Sequence, residues 1–168
     1  MSVVYARRAL RRATASSKVN VMFAFVETAA AAPRDSGAYA LLVALGAALP
    51  VEAGPRRATL SPGLYVYCGS ANGPGGLAAR LARHMRRDKP RRWHVDQLTN
   101  AGAPLGAWVF PGGCECAINV TLKALPVPVE GFGSSDCRRC RAHLRLWPAG
   151  ATPPEDWARP AALLNRFE

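Results

Sequence analysis

The sequence is short of acidic side chains. Its 168 residues hold 11 Asp and Glu against 22 Lys and Arg, which gives a formal net charge of +11 at pH 7 and a pI near 10.3. This surplus of cations favours a polyanionic partner, and we expect nucleic acid. The alternative is that the arginines are solvated surface cations without a partner.

Long apolar runs are lacking as well. No stretch approaches the roughly 20 consecutive apolar residues that a membrane-spanning helix needs, so we expect no membrane-embedded part. We also expect no secretory signal, because no segment joins an apolar core to a cleavage site. With 49% apolar and 20% charged residues, the composition is that of a globular protein with a single core.

Cysteines are few, odd in number and unevenly placed. Without a secretory signal, the five of them favour reduced thiols or a metal site over disulfides. Cys137 and Cys140 have the spacing of a zinc half-site, and His143 follows them. A four-ligand site would need another thiolate, from Cys114 or Cys116. We therefore prefer a loop that closes over an active site as the role of this segment, with zinc as the alternative.

The chain divides into three parts by composition. Residues 1–34 contain a single acid among Arg, Lys, Ala, Ser and Thr, and we expect a disordered basic extension there. It has the composition of an organellar transit peptide; a phosphate-binding arm and a start codon placed too far upstream are the alternatives. We expect residues 35–148 to form one domain and residues 149–168 a tail. The expected location is cytoplasmic and nucleoid-associated, or organellar if the extension is a transit peptide.

The most regular stretch lies at residues 63–84. Apolar residues alternate with two tyrosines over 64–68, which predicts a strand with two different faces. The following glycines are too dense for a regular element. From Leu77 an apolar spacing of four predicts a helix, and Arg80 and His84 lie at the edge of its apolar side.

The same patterns predict the other elements. The apolar run over 37–49 indicates a central strand covered on both faces, with Tyr39 on the same face as Leu41 and Val43. The remaining predicted elements are short strands over 57–60 and 144–147, a strand over 105–110, and helices over 93–98, 114–125 and 161–167.

An ordered set of motifs resembles the GIY-YIG nuclease superfamily. The set is Gly37-Ala38-Tyr39, Tyr67-Cys68-Gly69, Arg80, His84 and Glu115. The sequence is more similar still to the DUF123 branch, which occurs alone or fused to endonuclease III-type repair proteins. That similarity covers roughly residues 37–147 and depends on YVYCGSANGPGGLAARLARH, on WHVD, on Glu115-Cys116, and on GFGSSDC followed by His143. Ala38 and Cys68 stand where the superfamily usually has isoleucine, at packing positions.

The resemblance implies both a fold and a chemistry. The fold is a small α/β domain of the α+β type, with a three-stranded, mainly antiparallel sheet flanked by helices. The chemistry is hydrolysis of nucleic-acid phosphodiester bonds with one divalent ion, Mg²⁺ or Mn²⁺. Tyr39, Tyr67 and Arg80 carry over as catalytic residues and Glu115 as the metal ligand. His84 carries over as an auxiliary group that transfers a proton or orients a phosphate.

These residue types suit that reaction. Mg²⁺ in proteins usually takes one or two carboxylates, so a single Glu115 is sufficient, and an arginine clamps two phosphate oxygens at once. Each residue also has a structural interpretation. The tyrosines are then half-buried strand aromatics, Arg80 a solvated cation, His84 an edge-of-core side chain, and Glu115 an acid favoured by the dipole of its helix.

A basic run after the helix extends the expected binding surface. We expect it to hold phosphates without reading sequence. The sequence therefore predicts a metal-dependent endonuclease for structured or damaged DNA, with DNA favoured over RNA and DNA-repair proteins as further partners. The alternative is a binding module that keeps the fold without catalysis. The predicted phosphate contacts are Arg83, Arg86, Arg87, Lys89, Arg91, Arg92 and His94.

Overall fold

The computed structural model describes residues 23–167, so the predictions for residues 1–22 lie outside the described residues. Within that range the chain forms strands, helices and one 3-10 turn at Ala29–Ala31. The strands are β1 Phe25–Val26, β2 Gly37–Leu45, β3 Leu49–Ala53, β4 Arg56–Leu60, β5 Gly63–Ala71, β6 Ala103–Pro111 and β7 Leu144–Trp147. The helices are α1 Gly76–Met85, α2 His94–Ala101, α3 Glu115–Thr121 and α4 Ala161–Leu164.

Five of the strands form one antiparallel sheet in the order β1-β6-β2-β5-β7, and β3 and β4 form a separate hairpin. This arrangement confirms the predicted α+β class with a mainly antiparallel sheet. The three strands implied by the resemblance are the long central ones, β2, β5 and β6. The predicted short strand β7 lies at one edge. The other edge strand, β1, has two residues, which are too few to show a pattern in sequence.

The central strand β2 is covered on both faces, as predicted. Tyr39, Leu41 and Val43 belong to one buried cluster, whereas Ala38 and Leu42 belong to the other. This split follows from the period of two along a strand, which sends successive side chains to opposite sides. The sheet therefore separates two cores.

The two cores differ in their aromatic residues. We call the side that carries Tyr39, Tyr65 and Tyr67 the tyrosine face. The opposite side, against which three tryptophans pack, is the tryptophan face. Its tryptophans are Trp108 of β6, Trp147 of β7 and Trp157 of the C-terminal segment.

Different elements cover the two faces. Helices α1 and α2 lie on the tyrosine face and bury Leu77, Leu81 and Leu98. Helix α3 lies on the tryptophan face and buries Ile118. Burying a side chain of this size contributes about 1.5–3 kcal/mol, so these contacts fix the helices against the sheet.

The N-terminus of α1 is held by the loop that precedes β2. The N–H of Leu77 donates to the Asp35 carbonyl at 3.0 Å, and the N–H of Ala78 donates to the Pro33 carbonyl at 2.9 Å. These bonds occupy amide groups that a helix N-terminus otherwise leaves unpaired. Helix α1 therefore has a fixed position beside β2.

The two ends of the described chain meet on the tryptophan face. Phe23 donates its N–H to the Asp156 carbonyl at 2.7 Å and accepts the N–H of Ala158 at 2.8 Å. Trp157 and Leu164 are buried. Phe23 and Phe25 from one end and Trp157 from the other thus pack on the tryptophan face, while the predicted domain bounds at 35 and 148 stay predictions. Among the described residues there is no helix long and apolar enough to cross a membrane.

Candidate functional site

A cleft of about 200 Å³ opens on the tyrosine face, beside Gly69 and Ser70 near the end of β5. Its lining includes all five residues that the motifs single out as catalytic or metal-binding. They come from two strands and two helices, and the fold brings them together although they are far apart in sequence. Their roles stay predictions. The five residues are Tyr39, Tyr67, Arg80, His84 and Glu115.

Tyr39 and His84 form a buried pair at the inner end of the cleft. The Tyr39 hydroxyl lies 2.6 Å from Nε2 of His84, and both side chains are almost fully buried. His84 was expected at the edge of the helix's apolar side; instead it is 1% exposed. Its Nδ1 has no hydrogen-bond partner among the described residues.

Burial keeps both members of this pair neutral. It raises the pKa of Tyr39 well above its usual range, and the nearby Tyr67 hydroxyl adds to the effect. It also lowers the pKa of His84 to about 3; Asp96 opposes this shift, whereas Arg80 adds to it. The pair is therefore a phenol hydrogen-bonded to a neutral imidazole at neutral pH, which is an arrangement that can pass a proton between the two rings.

Gly69 makes room for this pair. It is the partner of Tyr39 in the β2–β5 register, and a Cβ built at Gly69 would lie 2.3 Å from the Tyr39 hydroxyl oxygen. A side chain at this position would displace the tyrosine. Gly69, the glycine of the second motif triplet, is thus required by Tyr39, the tyrosine of the first triplet.

The segment before β7 forms one wall of the cleft and lies against Tyr67. Gly133 has a positive φ of 76°, and a Cβ there would lie 2.5 Å from the Tyr67 ring. The Gly133 N–H donates to Nδ1 of His94 at 2.8 Å, and the His94 ring packs 5.4 Å from that of Phe132. His94, a predicted phosphate contact, therefore holds this wall in place.

Arg80 lies on an aromatic platform at the mouth of the cleft. Its guanidinium carbon is 4.3 Å from the centroid of the Trp93 ring, and that of Arg83 is 4.1 Å from the same ring. Stacking of this kind is favoured between guanidinium groups and indole rings. Trp93 belongs to the WHVD motif but had no predicted role; an aromatic residue next to a basic run was the available signal for one.

A buried carboxylate holds Arg83 and the loop before α2. Arg83 donates two hydrogen bonds to Asp96, at 2.6 and 2.9 Å, and Asp96 also accepts the N–H groups of Arg92 and Trp93. Burial alone would raise the pKa of Asp96, but the Arg83 and backbone hydrogen bonds lower it to about 2. The carboxylate is therefore charged at neutral pH and fixes the Trp93 platform.

The predicted phosphate contacts consequently differ in accessibility. Lys89 is 3% exposed, and its Nζ donates to the carbonyls of His84 and Arg86 and to Oδ1 of Asn100. Arg83 forms an ion pair with Asp96. Lys89 and Arg83 therefore make their contacts within the protein. The run's other members, Arg86, Arg87, Arg91 and Arg92, are exposed.

Two carboxylates line the cleft. Glu115 is the first residue of α3 and is partly exposed. Asp136 lies in a turn before β7 and is exposed; it was not among the predicted site residues. One or two carboxylates are the donor set that Mg²⁺ or Mn²⁺ takes while it keeps water ligands. Glu115 and Asp136 are therefore the donor types that fit a divalent cation.

A second donor set adjoins these carboxylates, and two of its members, Cys137 and His143, also line the cleft. One ligand atom each from Cys116, Cys137, Cys140 and His143 lies within 4.8 Å of every other. Cys116 Sγ is 3.5 Å from Cys137 Sγ and 4.0 Å from His143 Nε2. The sequence left the fourth ligand open between Cys114 and Cys116; Cys116 is the one in the cluster. This set is able to hold a metal ion, and its donors are those of a zinc site.

The fold and the cleft define a small, basic α+β domain with a polar cleft at the end of its central strands. Residues 38–162 match the family DUF123, described as a domain of unknown function. The match spans well over half of the 168 residues, and the chain belongs to this family. The predicted DUF123 membership is thus confirmed. Neither a curated protein nor a solved structure matches the chain.

Proposed function

We propose that this protein is a metal-dependent nuclease of the GIY-YIG type, which hydrolyses phosphodiester bonds in structured or damaged DNA. The observation that carries the proposal is the convergence of Tyr39, Tyr67, Arg80, His84 and Glu115 in one cleft. The residues were singled out by motif order, and nothing in that order requires them to be neighbours in space. A set joined only by packing would not place a carboxylate, a guanidinium and a phenol around the same opening.

Arg80 is suited to bind the scissile phosphate. Its guanidinium rests on Trp93 and lines the cleft, so its orientation is set before a phosphate arrives. A fixed guanidinium stabilises the negative charge that grows on the phosphate oxygens during attack. Glu115, together with Asp136 of the same cleft, would hold the divalent ion, which when bound activates water and stabilises the leaving oxygen.

Tyr39 and His84 supply a route for a proton. In the proposed reaction the Tyr39 hydroxyl gives its proton to Nε2 of His84, 2.6 Å away, as it takes one from the attacking water. Burial keeps His84 neutral in the free protein, so Nε2 has a lone pair for that proton, but the same low pKa makes the imidazole a weak base. The raised pKa of Tyr39 also opposes the transfer, so Arg80 and a cation held by Glu115 would have to stabilise the negative charge that develops on the attacking oxygen.

The exposed arginines supply affinity without sequence specificity. Arg86, Arg87, Arg91 and Arg92 follow α1 and precede the Trp93 platform at the cleft mouth. Each phosphate contact on duplex DNA adds about −0.9 to the log–log salt dependence of binding. With all four engaged, the salt slope would become more negative by about 3.6.

A binding module without catalysis is the second candidate, and the burial of Tyr39 favours it. Tyr39 is 2% exposed, so its hydroxyl meets a substrate only from the inner end of the cleft. The two candidates predict different results for Glu115. In a binding module, replacing Glu115 leaves every function intact or tightens binding, because a negative charge is removed from a phosphate-binding surface.

Cleavage of branched, flapped, nicked and single-stranded DNA with Mg²⁺ or Mn²⁺ tests the proposal. We expect product from at least one substrate, and a loss of roughly 100-fold or more in Glu115→Gln and in Arg80→Ala. Glu155→Gln and Arg166→Ala are the matched controls, since both residues are exposed and lie outside the cleft; they should cleave normally. Absence of product from every substrate, or equal activity in all four variants, would contradict a nuclease.

A further inference from the structure

We propose that Cys116, Cys137, Cys140 and His143 bind one zinc ion with tetrahedral geometry, and that this ion fastens α3 to the wall of the cleft. Its donors differ from the carboxylate expected to hold the divalent cation, Glu115, although Cys137 and His143 line the same cleft. Zinc binding requires no catalysis, so it stands or falls independently of the proposed nuclease function.

The spacing of the donor atoms is that of a tetrahedral site. With Zn–S bonds of about 2.3 Å and tetrahedral angles, two thiolate sulfurs lie about 3.8 Å apart. Cys116 Sγ lies 3.5 Å from Cys137 Sγ and 4.0 Å from Nε2 of His143, and the four donors are mutually within 4.8 Å. Four protein ligands fill the coordination sphere, which is the pattern of a structural zinc site rather than a catalytic one.

The backbone holds the segment that carries three of the donors. The N–H of Cys137 donates to the Ser134 carbonyl at 3.0 Å, and the N–H of His143 donates to the Phe132 carbonyl at 2.9 Å. Nε2 of His143 faces the Cys116 sulfur at 4.0 Å. The thiol of Cys137 and the imidazole of His143 are therefore placed beside Cys116 by the fold itself.

Other occupants fit less well. A disulfide between Cys116 and Cys137 would need their sulfurs about 2.05 Å apart, and it would leave Cys140 and His143 without a reason to converge. Mg²⁺ and Ca²⁺ prefer oxygen donors. Thiolate and imidazole donors in tetrahedral spacing select zinc.

The ion's position links it to the cleft. Cys116 directly follows Glu115 on α3, and Cys137 directly follows Asp136 in the segment before β7. A metal bond between those two cysteines therefore sets the separation of the two carboxylates. Helix α3 has seven residues, and short helices depend on external contacts for their position.

Metal content and cobalt spectroscopy of the full-length protein test the proposal. We expect about one zinc per chain in protein purified without added metal. Replacement by Co²⁺ should give the visible bands of tetrahedral cobalt together with a thiolate-to-cobalt charge-transfer band. Cys116→Ser and Cys140→Ser should each weaken zinc binding by more than 100-fold, because even the loss of a supporting hydrogen bond costs 10- to 100-fold.

Cys114→Ser is the matched control. Cys114 lies two residues before Cys116 and is exposed, outside the cluster, so this variant should bind zinc like the wild type. Thiol titration of the folded wild type gives a second readout that does not depend on a variant folding. A chelator should raise the number of reactive cysteines by three. Absence of zinc and cobalt binding by the wild type would overturn the proposal. So would a Cys116–Cys137 disulfide in protein purified under reducing conditions, or equal losses of zinc binding in Cys114→Ser and Cys116→Ser.

Discussion

The two faces of the sheet bury their aromatic residues differently. On the tryptophan face, Trp108 contacts Trp147 and Trp157 at ring distances of 5.6 and 5.2 Å, and its indole N–H donates to the Ala158 carbonyl at 2.7 Å. On the tyrosine face, Tyr39 is bonded to a histidine whose other nitrogen has no partner among the described residues. One face is packed and satisfied, and the other keeps polar groups at the end of a cleft.

The difference between the faces follows from the alternation of side chains along β2. Along β2, Ala38 and Ala40 face the tryptophans, and their small side chains leave room for large rings. The residues between them, Tyr39 and Leu41, face the helices. The tryptophan face consists mainly of packed rings, although the start of α3, with Glu115, reaches the cleft. The polar groups whose burial costs stability, Tyr39 and His84, lie on the tyrosine face.

The largest expected effect is on the tryptophan face. Trp108→Ala should lower the free energy of unfolding by about 3–5 kcal/mol, because it opens a cavity among packed rings. Urea denaturation followed by circular dichroism measures this loss. Trp93→Ala is the control: Trp93 is 39% exposed and lies at the cleft, so its loss should affect stability much less. Equal losses would mean that the two faces do not divide their roles in this way.

Acid should weaken the tyrosine face through His84. The imidazole has its usual pKa of 6.5 in the unfolded chain and a pKa of about 3 in the folded one. Between these values the unfolded state binds the extra proton, so stability falls as the pH is lowered, by at most about 1.4 kcal/mol per pH unit. Asp96, whose pKa falls from 3.8 to about 2, loses its contribution only at lower pH.

Urea denaturation between pH 6.5 and 4.5 measures this loss together with that from His143, whose pKa is also lowered by burial, so a variant is needed to isolate His84. His84→Gln retains hydrogen-bonding capacity but does not titrate, and its stability should depend less on pH than that of the wild type over this range. Parallel curves for the two proteins would show that His84 is not buried as described.

A smaller effect is expected where Gly69 touches Tyr39. Gly69→Ala places a methyl group 2.3 Å from the tyrosine oxygen, and overpacking of this kind costs about 1–3 kcal/mol. Gly73→Ala, in the glycine-rich turn that follows β5, is the matched control, because a Cβ there meets no atom within 4 Å. Thermal denaturation of both variants measures the contrast. If Gly69→Ala is as stable as Gly73→Ala, the close approach does not constrain the site.

The smallest expected loss of stability comes from removing either of two hydroxyls on the tyrosine face, and the two variants should differ in DNA cleavage. Tyr39→Phe removes the hydroxyl bonded to His84, and Tyr65→Phe removes one that donates to the Ser61 carbonyl at 2.7 Å. Each should cost about 1 kcal/mol of stability. Tyr39→Phe alone should also reduce DNA cleavage, since Tyr65 lies outside the cleft. Denaturation and DNA cleavage measured on the same samples check the stability prediction and the activity prediction. A loss of cleavage in Tyr65→Phe would argue against a special role for Tyr39.

Short-range patterns were enough to predict the elements that build the cleft. The period of two over 37–49 and 64–68 and the period of four from Leu77 repeat within single elements, so β2, β5 and α1 follow from local sequence. The placement of Tyr39 with Leu41 and Val43 follows from the same period. The resemblance supplied what periodicity does not, namely which distant residues share a site.

Features that depend on tertiary contacts could not be predicted in this way. Arg83 and Lys89 resemble their basic neighbours in sequence, and only the fold brings Asp96 and the backbone carbonyls to them. Cys116 and Cys114 are equivalent by spacing to Cys137, and only the position of α3 selects Cys116. The same limit applies to Trp157, which packs on Trp108 from the far end of the chain.

The unequal burial of the four tryptophans gives the molecule an intrinsic optical probe of its cleft. Trp108, Trp147 and Trp157 are at most 4% exposed, whereas Trp93 is 39% exposed and lies under the guanidinium groups of Arg80 and Arg83. Those cations should concentrate iodide around the Trp93 indole, so iodide should quench its fluorescence selectively. A phosphate-bearing ligand that reaches Arg80 should protect it, and binding at the cleft becomes measurable without a label.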